Sequence, residues 1–233
     1  MQRPTTIETL PAGRSAQHAV VDQARAALGT IILGKDKQIS LALACLLARG
    51  HLLIEDLPGL GKTMLAQALA RVLGLSYRRI QFTSDLLPAD IVGVSVFRQE
   101  SGEFEFQPGP VFAQLILADE VNRATPKAQS ALLEAMEEQQ VSVDGSTREL
   151  PTPFFVVATQ NPGDQIGTFP LPESQLDRFL MRVEIGYPNE ASERELIAGV
   201  DRRSLLKDIA AVTGPDTLIA LQDAARAIPV TDA

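Results

Sequence analysis

Five short apolar runs, separated by segments with helical periodicity, limit the fold of this 233-residue chain more than any other feature. Near-continuous apolar runs of this kind are typical of strands that are buried on both faces. When such strands alternate with helices, a parallel sheet covered by helices on both sides buries all of them. The sequence therefore predicts an α/β fold, a three-layer sandwich around a central five-stranded parallel sheet, with strands at residues 51–54, 77–82, 114–118, 154–159 and 181–185.

Other segments flank or interrupt this alternation. Two helices are predicted before the first strand, at residues 15–28 and 36–48. Alternating apolar residues around a Ser-Gly pair and an Asp-Gly pair predict two β-hairpin insertions, at residues 94–106 and 141–150. Beyond Pro188 the periodicity is helical again.

A glycine-rich loop between the first strand and the next helix predicts a phosphate-binding site. Its glycines let the backbone curl so that successive amides point inward, and the following helix adds its positive N-terminal end. In such a loop the lysine neutralises the β and γ phosphates, and the hydroxyl that follows it ligates Mg²⁺. The predicted ATP- or ADP-binding residues are Pro58, Gly59, Leu60, Gly61, Lys62, Thr63 and Met64, with Thr63 also a metal ligand.

The loop departs from the full pattern at one position. Asp56 stands where a glycine is expected, six residues before Lys62. Because Asp tolerates the backbone angles of tight turns, the loop can still form if this carboxylate faces away from the phosphates. The alternative is a glycine-rich turn that binds no ligand.

Polar side chains follow two of the predicted strands. Asp119 and Glu120 end the third strand, at the carboxyl edge where open α/β sheets bind ligands. We expect Asp119 to bind Mg²⁺ through its water shell and Glu120 to activate the attacking water as a general base. The amide of Asn161, after the fourth strand, can orient that water. The simpler alternatives are a strand that runs into a charged loop and an Asn that forms a turn before Pro162.

Four motifs, in this order, resemble the MoxR family of AAA+ ATPases over about residues 20–200: EDLPGLGKT, LILADEVNRATPKAQSALLEAMEE, VVATQNP and LPESQLDRFLMRV. The resemblance implies an AAA+ P-loop fold in which Asp119 and Glu120 are the Walker B pair and Asn161 is the sensor of the γ-phosphate. It also implies that the two hairpins face the central pore of a ring. Asp56 is common at its position in MoxR-type sequences.

The same resemblance assigns Arg178 to the arginine finger, which enters the active site of the neighbouring subunit. A fixed guanidinium there stabilises charge on the transferred phosphoryl group, an effect of roughly 10³- to 10⁵-fold in rate. Arg123 and Arg182 are weaker candidates for the same interface. Without the resemblance, the favoured interpretation of Arg178 is a surface ion pair with Asp177 or Glu173.

AAA+ chains carry a helical lid after the nucleotide-binding core. The resemblance therefore predicts a core at residues 1–188 and the beginning of a lid at 189–233, with helices at 191–200 and 217–228. Because the sequence stops before the later lid helices, we expect a truncated lid. Weaker nucleotide binding and slow hydrolysis are the expected consequences.

Composition and charge limit the cellular compartments and the classes of partner that are expected. The net charge of −8 disfavours binding to a phosphate backbone, as do the predicted hairpin tips, which carry no Lys or Arg. Cys45 is the only cysteine, which excludes an intrachain disulfide and fits a reducing compartment. No apolar run approaches the ~20 residues that a membrane helix needs, and the first ten residues lack the apolar stretch of a secretory signal. These features predict a cytoplasmic protein without direct membrane insertion.

The favoured interpretation is a Mg²⁺-dependent ATPase that remodels protein clients or assists metal-cofactor insertion. By the family resemblance, it forms a hexameric ring and acts with proteins that carry von Willebrand factor A domains. Two alternatives are a nucleotide-gated scaffold that hydrolyses little ATP, and a nucleic-acid motor. The acidic charge balance disfavours the motor.

Overall fold

Residues 12–162, 167–199 and 201–228 are described by a computed structural model of the chain. The prediction that no secretory signal is present rests on the first ten residues, which lie outside these ranges. The same holds for residue 200, the predicted end of a helix. No helix in the described ranges is both long and apolar enough to cross a membrane.

The strands form one sheet and two hairpins within the described residues. The strands are β1 (Leu52–Glu55), β2 (Tyr77–Gln81), β3 (Gly93–Arg98), β4 (Glu103–Pro108), β5 (Leu115–Asp119), β6 (Gln140–Val143), β7 (Ser146–Glu149), β8 (Phe155–Gln160) and β9 (Met181–Val183). The five strands of the sheet are parallel and lie in the order β2-β5-β8-β1-β9, which confirms the predicted central sheet.

Helices cover both faces of this sheet. They are α1 (Ala12–Ile31), α2 (Asp36–Leu47), α3 (Lys62–Val72), α4 (Pro88–Val92), α5 (Pro126–Glu138), α6 (Glu173–Leu176), α7 (Glu190–Ala198), α8 (Arg202–Asp208) and α9 (Pro215–Arg226). The two helices predicted before the first strand are confirmed. The helix α8 was not predicted, because its seven residues are too few to show a clear helical period.

Two buried clusters, one on each face, hold the layers together. Successive side chains of a strand point to opposite faces. Ile54, Leu117 and Val157 therefore pack with α1, α2 and α3, whereas Leu53 and Ile116 pack with α4 and α5. Burial of this apolar surface is the main favourable term in folding. The predicted three-layer sandwich is confirmed.

One part of the sequence prediction, the burial of the two outer strands, is wrong. The runs at 77–82 and 181–185 were predicted as buried strands, but Arg78, Arg79 and Arg182 are exposed. The reason is that β2 and β9 are the edges of the sheet, each with a single strand neighbour among the described residues. Only the inner strands are buried on both faces.

The two predicted hairpins are present as β3–β4 and β6–β7, both antiparallel. Their turns lie at the predicted Ser101-Gly102 and Asp144-Gly145 pairs, and both glycines have positive φ angles. Cys45, the single cysteine, is fully buried on α2. Its thiol donates to the carbonyl oxygen of His51 at 3.3 Å.

Candidate functional site

A cavity of about 660 Å³ opens at the carboxyl ends of β1, β5 and β8. This is the edge at which parallel α/β sheets bind ligands. Its lining brings together the glycine loop, one side chain of α3, the acids at the end of β5, the amide after β8 and one face of α8: Pro58, Gly59, Gly61, Lys62, Thr63, Met64, Gln67, Asp119, Glu120, Asn161, Arg203, Leu206 and Lys207. Of the predicted loop residues, only Leu60 does not line the cavity.

The backbone of the loop curls as the glycines predict. Gly59 and Gly61 have φ angles of 86° and 90°, in the left-handed region that favours glycine. The Lys62 ammonium donates to the carbonyl oxygen of Leu57 at 3.0 Å and also to that of Asp56. Burial lowers the pKa of Lys62, and the carboxylates of Asp56, Asp119 and Glu120 oppose that shift. Lys62 lines the same cavity as Asp119 and Glu120.

Thr159 positions both predicted acids from the neighbouring strand. Its hydroxyl donates to Oδ1 of Asp119 at 2.6 Å and accepts from the backbone amide of Glu120 at 2.9 Å. The side chain of Thr159 is fully buried. Sequence reasoning missed this residue, because the pairing of β5 with β8 places it beside residues 40 positions away.

A second pair of side chains reaches the acids from β2. Arg79 donates to Oδ2 of Asp119 at 2.7 and 3.1 Å. It also donates to the amide oxygen of Gln81, whose own NH₂ group donates to Oε2 of Glu120 at 3.1 Å. The chain of contacts from Asp119 through Arg79 and Gln81 to Glu120 fixes the direction of the Gln81 amide, since an arginine only donates hydrogen bonds.

The three predicted arginines lie in different places. Arg123 pairs with Glu120 at 3.2 Å, beside the cavity. Arg182 pairs with Glu55 at the end of β1. Arg178 does not line the cavity.

The ion pair of Arg178 differs from the alternative suggested by the sequence. Its guanidinium pairs with Glu137 on α5, with Nε 2.9 Å from the carboxylate, and not with Asp177 or Glu173. Glu137 is 41 positions away in sequence, but the folded chain brings it closer to Arg178 than the carboxylates that are nearby in sequence.

The carboxylate of Asp56 faces away from the loop interior, as the loop requires. One oxygen accepts from the amide of Leu57 at 2.8 Å, and the other accepts from the amide of Gly186 at 2.5 Å. Asp56 is not among the residues that line the cavity.

The cavity also contains residues that sequence reasoning did not single out. Arg203, Leu206 and Lys207 reach it from α8, and Gln67 reaches it from α3. A usable signal for α8 was Asp201, which caps this helix by accepting from the amide of Arg203 at 3.0 Å.

Comparisons with known proteins agree with this site. A family model described as the ATPase family associated with various cellular activities (AAA) matches residues 51–181. The uncharacterised protein YeaC of Bacillus subtilis (strain 168) is 47% identical over 205 residues, which are 88% of this chain and 64% of YeaC. Chaperone MoxR1 of Mycobacterium tuberculosis is 47% identical over 185 residues, which are 79% of this chain and 49% of MoxR1.

A solved structure of a candidate ATPase from Cytophaga hutchinsonii is similar with a TM-score of 0.85 and 37% identity. The match covers 94% of this chain and 66% of that one. The chain thus spans about half to two thirds of the length of these relatives. The family model covers the glycine loop, the acids at the end of β5 and the strand that carries Thr159. This chain belongs to the MoxR family of AAA+ ATPases.

Proposed function

We propose that this chain is the ATP-binding and ATP-hydrolysing part of a chaperone-like motor that remodels protein clients. The observation that carries the proposal is that Lys62, Thr63, Asp119, Glu120 and Asn161 line one cavity. Phosphoryl transfer to water needs a cation at the phosphates, oxygen ligands for a metal and a base for the water. This cavity contains a candidate for each requirement.

The residues of the cavity fit a magnesium nucleotide. Thr63 and Asp119 offer a hydroxyl and a carboxylate, the hard oxygen ligands that Mg²⁺ prefers. Bound there, Mg²⁺ supplies charge neutralisation at the phosphate oxygens. There is open space beside the α-carbons of Gly59 and Gly61, so the backbone of the loop is accessible to phosphate.

We assign the chemical steps to this chain's own residues. The Lys62 ammonium exchanges its two carbonyl partners for phosphate oxygens. Glu120 accepts the proton of the attacking water while Asn161 orients that water. Thr159 holds Asp119 and the backbone of Glu120 in place, which keeps the metal-binding acid and the base in register.

Two variants test this assignment. In Lys62→Ala, loss of the ammonium removes a charge-assisted phosphate contact, so we expect ATP to bind more weakly. In Glu120→Gln, we expect ATP to bind while phosphate release stops, because an amide cannot act as the base. Exposed residues of α5 provide matched controls, Lys127→Ala and Glu134→Gln.

The measurements are nucleotide binding with Mg²⁺ by calorimetry and phosphate release at saturating ATP. Equal ATP binding by the unmodified chain and Lys62→Ala would refute the loop assignment. If the unmodified chain binds ATP but releases no more phosphate than Glu120→Gln, the nucleotide-gated scaffold is the better description.

Exposed aromatic side chains on the first hairpin are the evidence for a protein client. Phe97 and Phe104 pair across β3 and β4 with ring centroids 5.2 Å apart, and they are 50% and 73% exposed. Phe106, on the same face, packs against Phe112 and lies beneath the guanidinium of Arg148, which belongs to the second hairpin. An exposed aromatic pair on a supported hairpin is suited to contact the apolar side chains of an unfolded polypeptide.

A paired substitution tests the client surface. We expect Phe97→Ser with Phe104→Ser to lose protection of heat-denatured citrate synthase against aggregation, while ATP turnover is retained. Val94→Ser is the control, because Val94 is 47% exposed on the opposite face of the same hairpin. Equal loss of protection in both variants would contradict a role for the aromatic face.

Assembly and partners extend the proposal. We assign Arg178 to the active site of a neighbouring subunit in a hexameric ring, and α7 to α9 to the beginning of a lid over the nucleotide. Proteins with von Willebrand factor A domains are the proposed partners, and metal-cofactor insertion is one proposed outcome. The support for this part is the family to which the chain belongs.

A further inference from the structure

Asp56, where the phosphate-loop pattern expects glycine, contacts a segment 130 residues away. The segment 184–187 lies in the connection between β9 and α7, and its Gly186 donates its amide to Oδ2 of Asp56 at 2.5 Å. The other carboxylate oxygen accepts from the amide of Leu57 in the loop at 2.8 Å. One side chain therefore joins the loop to the connecting segment.

The Gly186 residue is held on its other side by Lys35. This ammonium donates to the carbonyl oxygens of Gly186 at 3.0 Å and of Tyr187 at 2.6 Å, and only 7% of Lys35 is exposed. The side-chain amide of Gln38 donates to the two preceding carbonyl oxygens at 3.2 and 3.1 Å. Gly186 has a φ of 67°, so the segment turns sharply at the residue that is held from both sides.

The connecting segment leads to residues of the nucleotide cavity. After it come α7 and then α8, whose Arg203, Leu206 and Lys207 line the same cavity as the loop. At the other end of the connection, the carbonyl oxygens of Asp56 and Leu57 accept from the Lys62 ammonium. When the Lys62 ammonium binds phosphate, it leaves the carbonyl oxygen of Asp56, the residue whose carboxylate accepts from Gly186.

We propose that Asp56 is a positioning residue that couples occupancy of the phosphate loop to the placement of the connecting segment and of α7 and α8. The inference rests on the proposed ATP binding, and it gives Asp56 a role that a glycine at this position lacks. Asp56 does not line the cavity, and its carboxylate reaches the connecting segment through the amide of Gly186.

Hydrogen exchange followed by mass spectrometry tests the coupling. In the unmodified chain, we expect ATP with Mg²⁺ to change the exchange of residues 184–199. In Asp56→Gly, which restores the full loop pattern, and in Asp56→Asn, we expect ATP still to bind but this nucleotide-dependent change to be lost. A merely structural role would raise exchange with and without ATP equally and leave the difference intact.

Two further variants complete the experiment. Lys35→Gln removes the other contact to Gly186 and is expected to lose the same nucleotide-dependent change, which also covers the case in which an Asp56 variant fails to fold. Asp90→Asn is the matched control, because Asp90 likewise accepts from a backbone amide, that of Leu87 at 2.9 Å, but outside the cavity.

The outcomes separate this inference from the proposed function. ATP binding by Asp56→Gly with the full nucleotide-dependent change would overturn the coupling alone. An unmodified chain that binds no ATP, measured separately by calorimetry, would overturn the proposed function and the coupling with it.

Discussion

Thr159 shows how much of the site depends on a single buried hydroxyl. It donates to Asp119 and accepts from the amide of Glu120, and no part of it is exposed. A valine of nearly the same shape would leave the amide of Glu120 without this partner. Buried donors that lose their partners cost about 1–3 kcal/mol.

We therefore predict that Thr159→Val lowers the free energy of unfolding by about 1–3 kcal/mol, measured by urea denaturation. The control is Thr147→Val, also on a strand but exposed, where the hydroxyl forms a hydrogen bond with the Ser142 hydroxyl. A similar, small effect in both variants would show that Thr159 contributes shape and not hydrogen bonding.

His51 gives the fold a dependence on pH. Its Nδ1 accepts from the amide of Val156 at 3.0 Å, so the proton of the neutral ring lies on Nε2, which faces the carbonyl oxygen of Met136 at 3.3 Å. Burial lowers the pKa of His51 from 6.5 to about 4, although the contact with Met136 opposes the shift. The folded chain therefore keeps this ring neutral in a range where the unfolded chain protonates it.

We predict that stability falls as pH drops from about 6.5 to about 4, by roughly 3 kcal/mol from this residue. Above this window neither state binds the proton, and below it both do, so the loss is confined to the window. His51→Gln should lose less stability than the unmodified chain between pH 7 and pH 4.5 in urea titrations. His18→Gln, at an exposed site, should behave like the unmodified chain.

At the scale of elements, the first hairpin depends on two backbone segments that meet at its base. A Cβ at Gly109 would overlap the carbonyl oxygen of Ile91 and the amide of Gly93. These atoms belong to the backbone and cannot rotate away. The close approach explains why glycine is required where β4 returns to the core.

We predict that Gly109→Ala destabilises the chain by about 1–3 kcal/mol, the usual cost of forcing extra volume into a packed site. Gly29→Ala is the matched substitution, since Gly29 lies within α1 and a Cβ there meets no atom within 4 Å. It should stabilise the chain by roughly 0.5–1 kcal/mol through helix propensity. Thermal unfolding of both variants measures these changes. A Gly109→Ala variant as stable as the unmodified chain would contradict the packing argument.

At the scale of the whole molecule, substitution of Arg178 tests whether the subunit acts alone or in a ring. In this chain its partner is Glu137, and the pair is partly exposed, with 33% and 54% of the two side chains accessible. An exposed ion pair contributes about 0–1 kcal/mol to stability. An arginine that acts on a neighbouring active site has a much larger effect on rate.

We predict that Arg178→Ala retains ATP binding but loses phosphate release by roughly 10³-fold or more. Glu137→Gln removes the same ion pair and should retain turnover. Mixing Arg178→Ala with Glu120→Gln should restore part of the activity, because each subunit supplies what the other lacks. Equal turnover in the two single variants would reduce Arg178 to a surface ion pair.

The sequence by itself was sufficient for features that are contiguous along the chain. The strand, glycine loop and helix around Lys62 depend on backbone preferences of neighbouring residues. The acids at the end of β5 directly follow an apolar run in the sequence. The periodicity of apolar residues also determined the layers, since each face of the sheet must be buried. Family, sheet and hairpins were therefore predicted correctly.

Only the tertiary structure decided which distant groups meet. The register of the sheet sets Gln81 beside Asp119 and brings Thr159 to the two acids, and the return of the chain sets Gly186 against Asp56. The tertiary structure also places β2 at the edge of the sheet and α8 beside the cavity. The physical reason is that such contacts join residues tens of positions apart, so they depend on how whole elements pack and not on any local pattern of residues.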